Sequence, residues 1–171
     1  MRVCVLSICL AIGLAVSHAS GAAAQTLEPF KPFKLKTLEK EEKTLKDVLG
    51  PKATLVVFFF PTCKFCNEAF PSLQKLYDTY QSRGLSMVWV NAVPQEEKLI
   101  AKWRSDRGYT VPILVGASVR SIDKDYRVVM TPTHYLLDAE GRILSTRGGF
   151  QPGDEKKLEE SILDALKEQQ Q

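Results

Sequence analysis

Residues 53–66 read Ala-Thr-Leu-Val-Val-Phe-Phe-Phe-Pro-Thr-Cys-Lys-Phe-Cys. Ala53 to Phe60 is an apolar run broken only by Thr54, rich in β-branched and aromatic side chains. Such a run predicts a central strand covered on both faces. Pro61-Thr62 ends it. From Cys63 to Gln81 the apolar positions are 65, 66, 69, 70, 73, 76, 77 and 80, with Gly84 as a stop signal. That spacing predicts a helix, and Pro71 inside it should kink it by removing a donor and crowding the preceding turn. Leu85 to Ala92 predicts a second buried strand. Strand, helix and strand in this order predict a right-handed βαβ unit and an α/β fold.

Further out, Phe33 to Thr44 alternates loosely and is dense in Lys and Glu, which predicts a strand pair at a sheet edge. Leu45 to Leu49 is one apolar turn closed by Gly50-Pro51. Gln95 to Arg107 predicts a helix with Trp103 on one face, and Val111 to Val115 a short strand. Val119 to Tyr126 predicts a helical turn. Thr131 to Leu137 and Arg142 to Thr146 flank the turn Asp138-Ala139-Glu140-Gly141, so they predict an antiparallel hairpin. Gly153 to Gln169 carries Leu158, Ile162, Leu163 and Leu166 on one helical stripe, and the final glutamines are expected to fray. Trp89 is expected in the core.

The first residues read differently. Arg2 is the only charge before Glu28, and the fourteen residues Val3 to Val16 are apolar or small. That stretch is too short to span a bilayer core, which needs about 20 helical residues. With Ala22-Ala23-Ala24 behind it, residues 1–24 read as a secretory signal peptide, with an uncleaved anchor or a buried helix as alternatives. Cleavage after Ala24 removes Cys4 and Cys9 and leaves one domain, 25–171, with a core of about 29–168. It leaves Cys63 and Cys66 as the only cysteines, in an exported, periplasmic or otherwise disulfide-permissive space. The chain has 23 Lys and Arg against 20 Asp and Glu. With no basic block, nothing points to nucleic acid.

Cys63 and Cys66 stand where a strand feeds a helix. Two intervening residues put both sulfurs on one helical turn. The helix N-terminus favours negative charge, and Lys64 adds a positive one, so Cys63 is expected as the more exposed, thiolate-forming nucleophile. Cys66 is expected as the less exposed, resolving thiol. A structural zinc site needs four ligands, and only Cys63, Cys66 and His134 are available after cleavage. An inert structural disulfide and a three-ligand copper site using His134, with Met130 as a further soft ligand, remain as alternatives. The chain shows no matching Pro…Thr…Cys peroxide pocket.

The segment Phe58 to Cys66, with Glu68-Ala69-Phe70-Pro71 behind it, resembles the active-site segment of the thioredoxin superfamily, and within it the exported TlpA/ResA-like thiol-disulfide oxidoreductases. Met130-Thr131-Pro132-Thr133 resembles that family's cis-proline loop, and Tyr135 to Ile143 its hairpin. The resemblance implies a three-layer α/β/α sandwich on a mixed sheet. It also implies an N-terminal extension and an insertion, about 95–125, between the βαβ unit and the C-terminal ββα unit. It implies that Pro132 packs on the cysteine pair and that the Thr131 backbone pairs with an extended substrate. Lys64 and Phe65, between the cysteines, are expected to touch substrate.

There are departures. Thr62 stands where the family has Trp, Val57 where many members have an acidic residue or Asn, and Ala69 where ResA-like members carry Glu. Glu68 and Lys64 are therefore the proton-transfer candidates for Cys66. No organic cofactor and no metal are implied. Partners are protein thiols or disulfides and a membrane-embedded or exported electron donor, and the protein is expected to be a monomer. Family likeness favours a reductase, for example in cytochrome c maturation. Thiolate stabilisation by Lys64 and the helix end leaves an oxidase open. The rival class is a copper-binding chaperone or a redox-silent binding module.

Overall fold

A computed structural model describes residues 27–168. The signal-peptide reading and the final glutamines lie outside these residues. Seven strands form one mixed sheet: β1 (Lys34–Thr37), β2 (Glu42–Thr44), β3 (Ala53–Phe59), β4 (Leu85–Asn91), β5 (Ile113–Val115), β6 (Thr133–Asp138) and β7 (Ile143–Gly148). Their spatial order is β2-β1-β5-β4-β3-β6-β7. The helices are α1 (Leu45–Val48), α2 (Lys64–Tyr80), α3 (Glu97–Arg107), α4 (Val119–Lys124) and α5 (Asp154–Glu168). This is the thioredoxin-like sandwich that the sequence implied.

The apolar run of β3 is buried along its whole length because both faces are covered. Ala53, Leu55, Val57 and Phe59 face one layer of core, formed with α2, α3 and α5. Val56 and Phe58 face the other, formed with Leu45 of α1, Ile122 of α4, Phe30 and Tyr126. The period-two alternation of a strand divides the run between the two layers. β3 pairs in parallel with β4 and antiparallel with β6. It is therefore the central rail from which the chain enters α2.

The N-terminal pair lies at a sheet edge, as expected. β1 docks on β5, the strand of the insertion, with Lys36 opposite Val115, and β2 is left outermost. The β6–β7 hairpin also forms as expected. Buried Asp138 closes its turn by accepting from the Glu140 and Arg142 amides at 3.0 and 2.7 Å, and Gly141 takes φ +80°.

Three expectations shift in detail. The helix after Pro61 begins at Lys64, with Cys63 as its cap. The predicted helix over 95–107 opens as a single 3-10 turn, Pro94–Glu96, before α3 begins. The strand predicted from Thr131 begins at Thr133, because Pro132 has no amide to donate to the ladder.

Candidate redox site

The site lies where β3 ends. Cys63 and Cys66 are joined by a disulfide with their Cα atoms 5.2 Å apart. As the cap of α2, the Cys63 sulfur accepts the Cys66 amide at 3.1 Å. The Asn67 amide donates to the Cys63 carbonyl at 3.0 Å. One free N–H of the first helical turn, that of Cys66, thus reaches the Cys63 sulfur, where it and the helix end favour negative charge. Cys66 is wholly buried at 0% exposure, and Cys63 keeps 5%. The order expected from sequence holds, but in the disulfide form the first cysteine is also nearly enclosed.

Across from the disulfide, the Thr131–Pro132 bond is cis. The Thr131 hydroxyl donates to the Cys63 sulfur at 3.3 Å, and the Thr131 carbonyl oxygen lies 3.6 Å from that sulfur. The loop is fixed from both sides. Thr133 donates its hydroxyl to the Met130 carbonyl at 2.6 Å, and the Gly149 amide donates to the Pro132 carbonyl at 2.7 Å. Thr131, 68 residues beyond Cys63 in sequence, is thus brought against the cysteine pair by the fold.

Phe65 is 55% exposed and Met130 53% exposed, giving the rim an apolar character. Lys64 and Glu68 pair with each other on the solvent side of α2, their charges 3.9 Å apart. Positions 66 and 68 of a helix point to nearly opposite faces. Glu68 is accordingly exposed while Cys66 faces the core.

Sequence reasoning missed three residues here. Asn67 donates from its side chain to the carbonyls of Pro61 and Cys63, both at 2.9 Å. Its own carbonyl accepts the Trp103 indole N–H at 2.9 Å. Trp103 is more than a helix-face residue: it is buried, packed against Phe59 and Phe70. Glu96 is the third. Its carboxylate accepts the Thr62 amide at 3.1 Å and the Thr62 hydroxyl at 2.7 and 2.9 Å. No local pattern marks these residues, because the Thr62–Glu96 and Asn67–Trp103 pairs lie 34 and 36 positions apart.

His134 does not join the cysteines in a metal site. It sits on β6 opposite Val57 and lines a cavity of about 110 Å³ with Leu55, Ser145 and Ser161. Both its ring nitrogens lack a hydrogen-bond partner. Burial pushes its imidazole down to about 4, and the Arg147 main chain, near the ring but outside hydrogen-bond geometry, acts the other way. Among the described residues, no group of three or more His, Cys, Asp or Glu is placed to hold a metal ion. No helix among them is long and apolar enough to cross a membrane.

A CxxC disulfide capping a helix, set against a cis-proline loop on a thioredoxin-like sheet, defines a thioredoxin-type thiol–disulfide oxidoreductase. The chain belongs to the AhpC/TSA family, whose sequence profile matches residues 27–146. It is 33% identical over 132 residues to the thioredoxin-like protein YneN of Bacillus subtilis, covering 76% of this chain and 74% of that one. It is 28% identical to the thiol-disulfide oxidoreductase ResA of Halalkalibacterium halodurans, covering 95% of this chain and 93% of that one. The crystal structure of StoA from Bacillus subtilis superposes with a TM-score of 0.63 at 26% identity, over 78% of this chain and 97% of that one.

Proposed function

We propose that this protein is an exported, monomeric reductant of protein disulfides, working through Cys63 and Cys66. The observation that carries the reading is the graded burial of a helix-capping pair. Only Cys63 reaches the surface, and its sulfur is also the one that receives the Cys66 amide and the Thr131 hydroxyl. Those donors stabilise a thiolate, the attacking species.

The Cys63 thiolate attacks one sulfur of a partner disulfide, forming a mixed disulfide and releasing the partner's other sulfur as a thiolate, which takes a proton from water. Cys66, deprotonated, then attacks the Cys63 sulfur. The Cys63–Cys66 disulfide forms, and the partner leaves with its second thiol. Two electrons pass to the partner. The half-buried Thr131 and the Phe65 rim would align an extended segment of the partner by strand addition. Lys64 and Glu68 would shape approach from solvent rather than carry the Cys66 proton, since they pair on the outer face. A membrane-embedded or exported donor would restore the thiols.

The signal-like residues 1–24 support export, and the resemblance to TlpA/ResA-like proteins supports a dedicated reductase, for instance in cytochrome c maturation. Cys66→Ser should accumulate mixed disulfides through Cys63, resolved on non-reducing gels, and Cys63→Ser should accumulate none. Trapping by neither variant, with activity intact in both, would defeat the assignment.

A further inference from the structure

The charge beside Cys63 is not the one its own segment suggests. Lys64, its neighbour in sequence, is drawn 3.9 Å from Glu68 on the exposed face of α2, so the two charges offset each other. The carboxylate fastened to the residue before Cys63 comes instead from Glu96. It takes both hydrogen-bond donors of Thr62, the amide and the hydroxyl. Among the described residues Glu96 forms no ion pair, whereas Lys64 is paired with Glu68.

Glu96 also arrives there by construction. Where β4 ends, the Ala92 amide donates to the Phe59 carbonyl at 2.6 Å, tying the exit of β4 to the exit of β3. Buried Asn91 then holds Val93 from both sides, donating to its carbonyl at 2.9 Å and accepting its amide at 3.3 Å. The 3-10 turn Pro94–Glu96 follows at once, with the Glu96 amide donating to the Val93 carbonyl at 2.9 Å. A short, pinned connection thus delivers the carboxylate to the loop in front of α2.

We propose that Glu96 is a positioning residue that holds the Pro61–Cys63 loop and biases the Cys63–Cys66 pair toward its disulfide form, making the reduced protein the stronger reductant. This rests on the functional reading above and gives its reducing direction a structural cause. The physical cause is charge. A thiolate at Cys63 is stabilised by the N–H groups of α2, and a carboxylate one residue away in the hydrogen-bond chain opposes it. Less stabilisation of the thiolate means less stabilisation of the reduced pair, and so a more reducing couple. The hydrogen bonds to Thr62 have a second effect, keeping the loop from moving away from the carboxylate.

Glu96→Gln separates the two effects, because the amide oxygen can still accept from Thr62 while the charge is gone. Two quantities are read on the full-length protein: the Cys63 thiol pKa, from the pH dependence of alkylation, and the equilibrium with reduced and oxidised glutathione. The expected result is a lower thiol pKa and an equilibrium constant moved at least threefold toward the reduced protein, about 14 mV. Thr62→Val, which removes one donor, should move both in the same direction by less. Unchanged values in folded Glu96→Gln, or a shift toward the disulfide form, would overturn the proposal. Both readouts need only glutathione and alkylating agent. They therefore stand or fall separately from the trapping experiment, which alone tests whether proteins are the substrates.

Discussion

Asn67 is the residue on which the active-site loop turns. One side chain donates twice, to the carbonyls of Pro61 and Cys63, and accepts once, from the Trp103 indole. Replacing it with Ala leaves the Trp103 indole N–H and the Pro61 carbonyl without that partner, while the Cys63 carbonyl keeps the residue-67 amide, and an orphaned buried polar group costs about 1–3 kcal/mol. Asn67→Ala is expected to lose about 2 kcal/mol of stability, read from denaturant midpoints, and to react faster with alkylating agents at Cys63 once reduced, because the loop is no longer held. Unaltered stability and alkylation would show the triad of bonds to be incidental. The cysteines, Thr131 and Pro132 were legible because each stands inside a short motif. Asn67 was not, since an Asn after a CxxC reads as an ordinary polar position of a helix surface, and its value appears only when α3 places Trp103 beside it. Glu96 was hidden for the same reason: within Pro94 to Glu97 it is one of two adjacent carboxylates, and only the fold distinguishes the one that meets Thr62.

At the scale of elements, periodicity recovered the helices and strands because the sheet's two covered layers impose it. β3 and α2 were plain from their apolar spacing, whereas the partner of the N-terminal pair was not, because edge pairing depends on where the insertion delivers β5. The α1–β3 connection shows a constraint that spacing cannot reveal. A Cβ on Gly50 would overlap the Ala53 carbonyl oxygen and would stand 2.6 Å from the Ser86 amide nitrogen on β4. Both are backbone atoms of neighbouring strands, so neither can swing aside. The Gly50 amide meanwhile donates to the buried Thr54 hydroxyl at 2.8 Å, fixing the loop in place. Forcing a methyl group into such a contact moves packed backbone, for which overpacking costs of about 1–3 kcal/mol are the guide. Gly50→Ala is expected to lower the thermal midpoint by several degrees while leaving the glutathione equilibrium of the distant cysteine pair unchanged. A midpoint equal to wild type would mean that this close approach is not a tight one.

At the scale of the whole molecule, the feature least expected from sequence is a buried imidazole that the fold leaves without partners. The sequence offers His134 as a third copper ligand beside Cys63 and Cys66, and the sandwich encloses it between β6, β7 and α5 instead. Its folded value of about 4 lies below the ordinary 6.5, with burial as the main cause. The folded protein therefore keeps the ring neutral while the unfolded chain takes up a proton, so between pH 6.5 and 4 the unfolded state binds more protons. Stability is fully present above that window and falls as the pH drops through it, levelling once the folded ring also protonates. At about 1.4 kcal/mol per unit, the loss is about 3 kcal/mol across the window. The Asp47 carboxyl, held low by the Thr44 hydroxyl and amide, makes its loss at lower pH, so the two are separable. Denaturant unfolding at pH 7 and at about pH 4.5 is expected to show wild type losing roughly 2–3 kcal/mol more than His134→Leu over that interval. The Leu variant should also match or exceed wild type at pH 7, since it fills an apolar wall of the cavity and removes two unpaired nitrogens. Equal acid sensitivity in the two proteins would show that the imidazole is solvated in solution and that acid lability arises elsewhere.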